Sequence, residues 1–275
     1  MCQKFTTRTS PASRVVACEN MKRKSQKYKV LAIHIIGEFI GSTLFSLMYF
    51  MFIARYLDSE FEFSFTVLAF FIGAAYFVSV YIPFHTYRIH IIPFISIIRA
   101  LQKKKWRIIL NKIPAQIIGA FAGTALFKEF MTLMNSEVDI MDMWSYRLEQ
   151  PSDVLFFNLL VVFVLCYAFY ILQLLFKSLN FTSTFFFALV VQALFIFTWQ
   201  VSEITALNVF GYLSLIMLEG DFDFLTNVFW TIVIHLVSPS LLAIGIFYYI
   251  RDRYFNKNRN IPRSTSGSIT QNYDV

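Results

Sequence analysis

Six apolar runs divide the chain, at about 30–54, 63–83, 107–127, 154–176, 182–201 and 226–250. Each reaches the ~20 residues that a membrane-spanning helix needs. Two shorter apolar stretches break the alternation. The first covers residues 87–101 and is closed by Lys103, Lys104 and Lys105. Pro93 suits the first position of a helix there, where its missing N–H costs nothing. From Pro93 to Leu101 such a helix rises roughly 13 Å, less than half of a hydrocarbon core of about 30 Å. The segment therefore dips into the membrane or lies at its interface, and irregular backbone at that depth survives only inside protein or beside a water-filled cavity. The second stretch, residues 208–218, is again half a span and enters from the opposite side. Each half of the chain thus carries three spans with a half-helix between its second and third. Three is odd, so the halves run in opposite orientation, the arrangement of inverted-repeat membrane folds. Half-helices that meet near the midplane direct both N-termini, with their positive dipole ends, at the centre, where they repel cations and protons.

Composition agrees with an integral membrane protein: 57% of 275 residues are hydrophobic, 33 are Phe, and only 15% are charged. The placement of charge orients the chain. With both termini in the cytosol, the inner side receives 21 of the 24 Lys and Arg residues, and only Arg55, Lys128 and Arg147 lie outside. The positive-inside rule selects that orientation. The one glycosylation sequon, Asn180-Phe181-Thr182, then faces the cytosol and stays unmodified. Three regions follow: a basic cytosolic N-terminal tail over 1–29, a channel-like membrane domain over 30–250, and a disordered cytosolic C-terminal tail over 251–275. Residues 1–29 lack the apolar core of a cleaved signal peptide. Cys2, Cys18 and Cys166 suggest no disulfide framework.

The candidate chemistry is sparse. No zinc-type His-Glu-x-x-His, nucleophile elbow, paired intramembrane aspartates or phosphate loop occurs, so catalysis is not expected. His34, His85, His90 and His235 lie on separate segments without ligand spacing, so neither a metal nor another cofactor is expected. Glu38 stands inside the first run, where an unpaired carboxylate costs several kcal/mol. Gly37/Gly41 and Gly119/Gly123 are small-xxx-small pairs that let helices approach closely. The run Lys103–Lys105 is a solvated topology signal that also meets anionic lipid.

Over residues 30–250 the chain resembles the aquaporin (major intrinsic protein) family. Gly37-Glu38-Phe39-Ile40-Gly41-Ser42-Thr43-Leu44 is similar to that family's opening helix, and His90-Ile91-Ile92-Pro93-Phe94-Ile95-Ser96 sits where the family has His-Leu-Asn-Pro-Ala-Val-Thr. Pro114-Ala115-Gln116-Ile117-Ile118-Gly119-Ala120 is similar to the third-span signature, and Val237-Ser238-Pro239 to Val-Gly-Pro of the sixth. Both Asn-Pro-Ala boxes depart from the pattern. The first reads Ile92-Pro93-Phe94 and keeps only proline; the second reads Asn208-Val209-Phe210 and keeps only asparagine. The unorthodox (super-) aquaporins also carry altered boxes.

The resemblance implies an all-α protein of six transmembrane helices and two re-entrant half-helices, assembled as a homotetramer in the lipid bilayer. It implies passive permeation of water or small neutral solutes, without cofactor, metal or nucleic acid. The alternative is a non-conducting structural or adhesion protein that retains the fold. Glu38 would hold re-entrant backbone N–H groups, with Asn158 at the corresponding place in the fourth span. His90 either lines the inner vestibule or is a hydrogen-bonded interfacial residue. Asn208 caps its half-helix, donates to a passing solute, or does both, whereas Ile92 can do neither. Phe94 and Phe210 either plug the centre or pack against helices and lipid. Gly211 takes the place of the family's selectivity arginine, and Ile72, Ile196 and Thr205 would complete that constriction, an apolar set that favours glycerol-like molecules over water.

Overall fold

The computed structural model describes residues 11–57, 64–84, 89–134, 151–175, 181–202, 206–219, 237–251 and 253. All regular structure among these residues is helical. The helices are α1 (Pro11–Leu57), α2 (Phe65–Phe84), α3 (Pro93–Lys103), α4 (Arg107–Leu133), α5 (Pro151–Leu175) and α6 (Phe181–Ser202), and then α7 (Val209–Glu219) and α8 (Ser238–Ile250). A 3₁₀ turn, Ala206–Asn208, leads into α7. Among the described residues, four segments are long and apolar enough to cross a membrane: Tyr28–Leu57, Phe65–Pro83, Arg107–Leu133 and Phe181–Thr198. In hydrocarbon the backbone must satisfy its own hydrogen bonds, and an apolar run of this length does so as a helix. Shorter apolar helices occupy Asn158–Leu172, Val209–Leu218 and Ser238–Ile250. The first part of the run at 226–250, the sequon Asn180, Thr205 and most of the C-terminal tail lie outside the described residues.

Helix α1 is longer than its apolar pattern. Its backbone is helical from Pro11, so much of the polar tail continues the first span rather than standing apart from it. Proline fits a first helical turn, and neither Gly nor Pro follows until Gly37, so nothing stops the helix where the apolar pattern stops.

Helix α3 begins where Pro93 allows it. Ile92 is extended at φ −88° and ψ 119° and makes no side-chain cap. At the other end Lys104 adopts the left-handed conformation at φ 52°. Its N–H donates to the Leu101 carbonyl at 3.2 Å, and that of Lys105 donates to the Ala100 carbonyl at 3.0 Å. These bonds satisfy last-turn carbonyls and end the helix at 11 residues.

The helices pack in two matching sets. Helix α1 packs on α2 and α4, α5 packs on α6 and α8, and α2 meets α6 between the sets. The short helices cross over: α3 touches α5 and α8 as well as α4, and α7 touches α4. Exchanging α1–α4 in order for α5–α8 carries α1–α2 onto α5–α6, α1–α4 onto α5–α8, and α4–α7 onto α8–α3.

Small residues set the closest of these approaches. A Cβ at Gly119 would meet Ser42 Cβ at 3.0 Å, and one at Gly123 would meet the Thr43 carbonyl carbon at 3.0 Å and Leu47 N at 3.1 Å. Gly123→Ala is therefore expected to push α4 off α1 and cost about 1–3 kcal/mol. The control is Gly245→Ala, since a Cβ at Gly245 meets nothing within 4 Å. Thermal unfolding in detergent checks both, with a lower midpoint for Gly123→Ala only; equal midpoints would refute the close-approach account.

Candidate functional site at the junction of the short helices

Glu38 is completely buried on α1. One carboxylate oxygen accepts the backbone N–H of His90 at 2.8 Å, in the segment that leads into α3. The other accepts from Gln116 Nε2 on α4 at 2.8 Å. Lys112, one turn before Gln116, forms an ion pair with Glu38 and leaves only 12% of its side chain exposed. Gln116 Nε2 also bonds to the His90 carbonyl and lies 3.0 Å from Ser96 Oγ. One carboxylate thus joins α1, α4 and the approach to α3. Its amide partner must turn Nε2 toward the carboxylate and the carbonyl, which directs Gln116 Oε1 away from them.

Lys112 and Arg99 count toward the cytosolic charge when the chain is read along its length. In the fold Arg99 is 7% exposed and Lys112 holds the buried acid, so neither is a simple surface cation. Sequence reading missed Lys112 as a partner because it lies 74 positions from Glu38. The available signal was the carboxylate itself, since a buried charge needs a counter-charge.

The starts of the two short helices line one cavity. Pro93 and Ile91 border it from the α3 side, and Leu207, Asn208, Val209 and Phe210 from the α7 side. Ser42, Ser46 and Gln116 add polar walls, and the cavity measures about 10 Å³, roughly the room of one water molecule. Asn208 Oδ1 accepts from Ser46 Oγ at 3.1 Å. Ser42 Oγ, Gln116 Oε1 and Asn208 Nδ2 are buried with no hydrogen-bond partner among the described residues. Polar atoms from α1, α4 and the turn before α7 therefore converge on this small space.

Gly211 lies beneath the same amide. A Cβ there would come within 2.6 Å of Asn208 Oδ1, so the asparagine can fold over the helix start only because residue 211 is glycine. Ile72 is fully buried, Ile196 is partly buried, and Thr205 falls outside the described residues. Phe94 and Ile92 are buried in the core, while Phe210 is partly buried at the cavity wall. His90 is buried with its ring 5.9 Å from that of Phe169, and Asn158 is buried on α5.

A column of buried aromatic rings runs beside this junction. Phe65 stacks on Phe195 at 6.2 Å between centroids, and Phe195 meets Tyr49 edge-on at 6.0 Å. Tyr49 continues to Phe45 at 5.7 Å, Phe45 to Tyr76 at 6.0 Å, and Tyr76 to Phe187 at 5.4 Å. Phe187 reaches Phe169 at 6.0 Å, and Phe169 the ring of His90. The hydroxyls of Tyr49 and Tyr212 lie 2.5 Å apart, joining α1 to α7. From Phe195 to His90 each ring is at most 4% exposed. Edge-to-face pairs of this kind contribute about 0.5–1.5 kcal/mol each beyond burial. The sequence leaves Phe94 and Phe210 as either plugs or packing residues; the rings of this column come from the long helices and α7.

Compared with known proteins, the chain matches no protein-family model and no curated protein sequence.

Proposed function

We propose that this chain is an aquaporin-like membrane channel with altered pore motifs, one that passes water or small neutral solutes passively and slowly. The observation that carries the reading is the junction. Two 11-residue helices begin at one small cavity, and a buried carboxylate bonds the backbone that leads into the first of them. Six spans, two re-entrant half-helices and an inverted repeat account for the matched packing of α1–α4 and α5–α8. Both termini then lie in the cytosol, the bilayer is the solvent for the apolar surfaces, and a homotetramer is the assembly.

The aromatic column favours a second reading, a non-conducting structural membrane protein that keeps the scaffold. Its rings are packed against one another and buried, and the junction cavity beside them has room for about one water molecule. In the conducting reading the column makes transport slow, and the half-helix dipoles still oppose ions.

Flux of water, glycerol and ions measured on one proteoliposome preparation tests the choice. The channel reading expects slow neutral flux above that of empty liposomes, glycerol at least comparable with water, and no ion current. Fast water without glycerol would refute the altered constriction. No flux of any kind, in the wild type and in variants that break the column, would favour the structural reading.

A further inference from the structure

We propose that the groove between α5 and α8 is a binding site for an anionic phospholipid. One acyl chain would lie in the groove, with the headgroup phosphate on Arg251. The groove is a recess of about 30 Å³ walled by Phe163, Tyr167 and Tyr170 of α5 and by Phe247, Ile250 and Arg251 at the end of α8. It presents only apolar atoms, so it suits hydrocarbon and neither a headgroup nor a bound water. Tyr167 is 43% exposed, which leaves the recess open on its lipid side.

Charge complementarity selects the lipid. The Arg251 guanidinium lies over the Tyr248 ring, 4.0 Å from its centroid. Stacking restrains a long side chain and holds a planar group that can donate two parallel hydrogen bonds to a phosphate. Arg253 repeats the device on Tyr249, at 5.7 Å from its centroid and with an N–H donated to the Tyr249 hydroxyl. Lys257, Arg259 and Arg263 follow in the sequence. A basic cluster immediately beyond an apolar helix end is suited to the anionic lipids of the cytosolic leaflet.

The site also touches the functional junction. The Tyr248 hydroxyl donates to the Ile98 carbonyl of α3 at 3.1 Å, so the ring that carries Arg251 is tied to the first short helix. The inference rests on the proposed topology, which puts the end of α8 at the cytosolic leaflet; it does not depend on conduction.

The test uses the full-length chain purified in a neutral detergent, titrated with dioleoyl phosphatidylserine, dioleoyl phosphatidylcholine or glycerophosphoserine, and read by native mass spectrometry and thermal unfolding. Phosphatidylserine, which is net negative, is expected to bind about tenfold more tightly than phosphatidylcholine, whose choline ammonium offsets the phosphate charge that Arg251 meets, and to raise the unfolding midpoint. Arg251→Gln should erase that preference, while Arg253→Gln should reduce it less. Ile250→Trp, which fills the recess, should weaken both lipids together. Equal binding of the two lipids, a preference that survives Arg251→Gln, or glycerophosphoserine binding as tightly as the intact lipid would each overturn the site.

Discussion

Replacing Glu38 by leucine is expected to abolish stably folded protein, whereas glutamine preserves it in weakened form. Leucine removes the acceptor for the His90 N–H and the Gln116 amide and strips Lys112 of its counter-ion. A buried pair broken from one side costs about 3–5 kcal/mol, because the remaining charge is left without compensation. That is a large part of the roughly 5–15 kcal/mol by which a typical fold is stable. Glutamine keeps an oxygen for the His90 N–H, but it loses the charge that answers Lys112 and sets an amide donor against the Gln116 amide, which accounts for the weakened form. The double variant Glu38→Leu/Lys112→Met should recover part of the loss, since it removes the stranded ammonium. Yield, monodispersity and unfolding midpoint in detergent measure all three variants. A leucine variant as stable as wild type would show that the carboxylate does not hold the approach to α3.

Tyr49→Ala should open the centre and cost stability at the same time. Tyr49 is fully buried and contacts the rings of Phe45, Phe50, Phe195 and Tyr212, with centroids 5.5–6.0 Å away. Truncating a ring at such a site costs about 3–5 kcal/mol, through lost burial and the cavity left behind. The same cavity interrupts the column, and neutral-solute flux should rise at least about tenfold, equivalent to roughly 1.4 kcal/mol off the barrier. Tyr49→Phe separates the two effects. It keeps the ring, leaves the Tyr212 hydroxyl without this partner at about 1 kcal/mol, and should not raise flux. Stopped-flow swelling of proteoliposomes reads the result. Tyr49→Ala with wild-type flux would mean that the column is not the barrier.

Several features were legible in the residues because they depend on local chemistry. Apolar runs of spanning length predicted α2, α4 and α6 to within a few residues at most ends, since helix is the form in which hydrocarbon accepts a backbone. Pro93 marked the first residue of α3, since proline's fixed φ and missing N–H belong at a helix start. Ile92 was readable as a residue without a capping side chain, and no cap is made. Glu38 announced a need for partners by standing in an apolar run.

The remainder depended on distance along the chain. The sequence by itself determined that the protein is helical with several helices apolar and long enough to cross a membrane, that a short helix starts at Pro93, and that one acid lies inside. Only the tertiary structure decided that Lys112 answers Glu38, that Asn208 folds over Gly211, and which few of 33 Phe and 14 Tyr residues form a column. Apolar pattern reports only that a side chain avoids water, and most side chains in these helices are apolar. Which neighbour it then meets depends on how helices far apart in sequence cross, and neither hydropathy nor spacing records that.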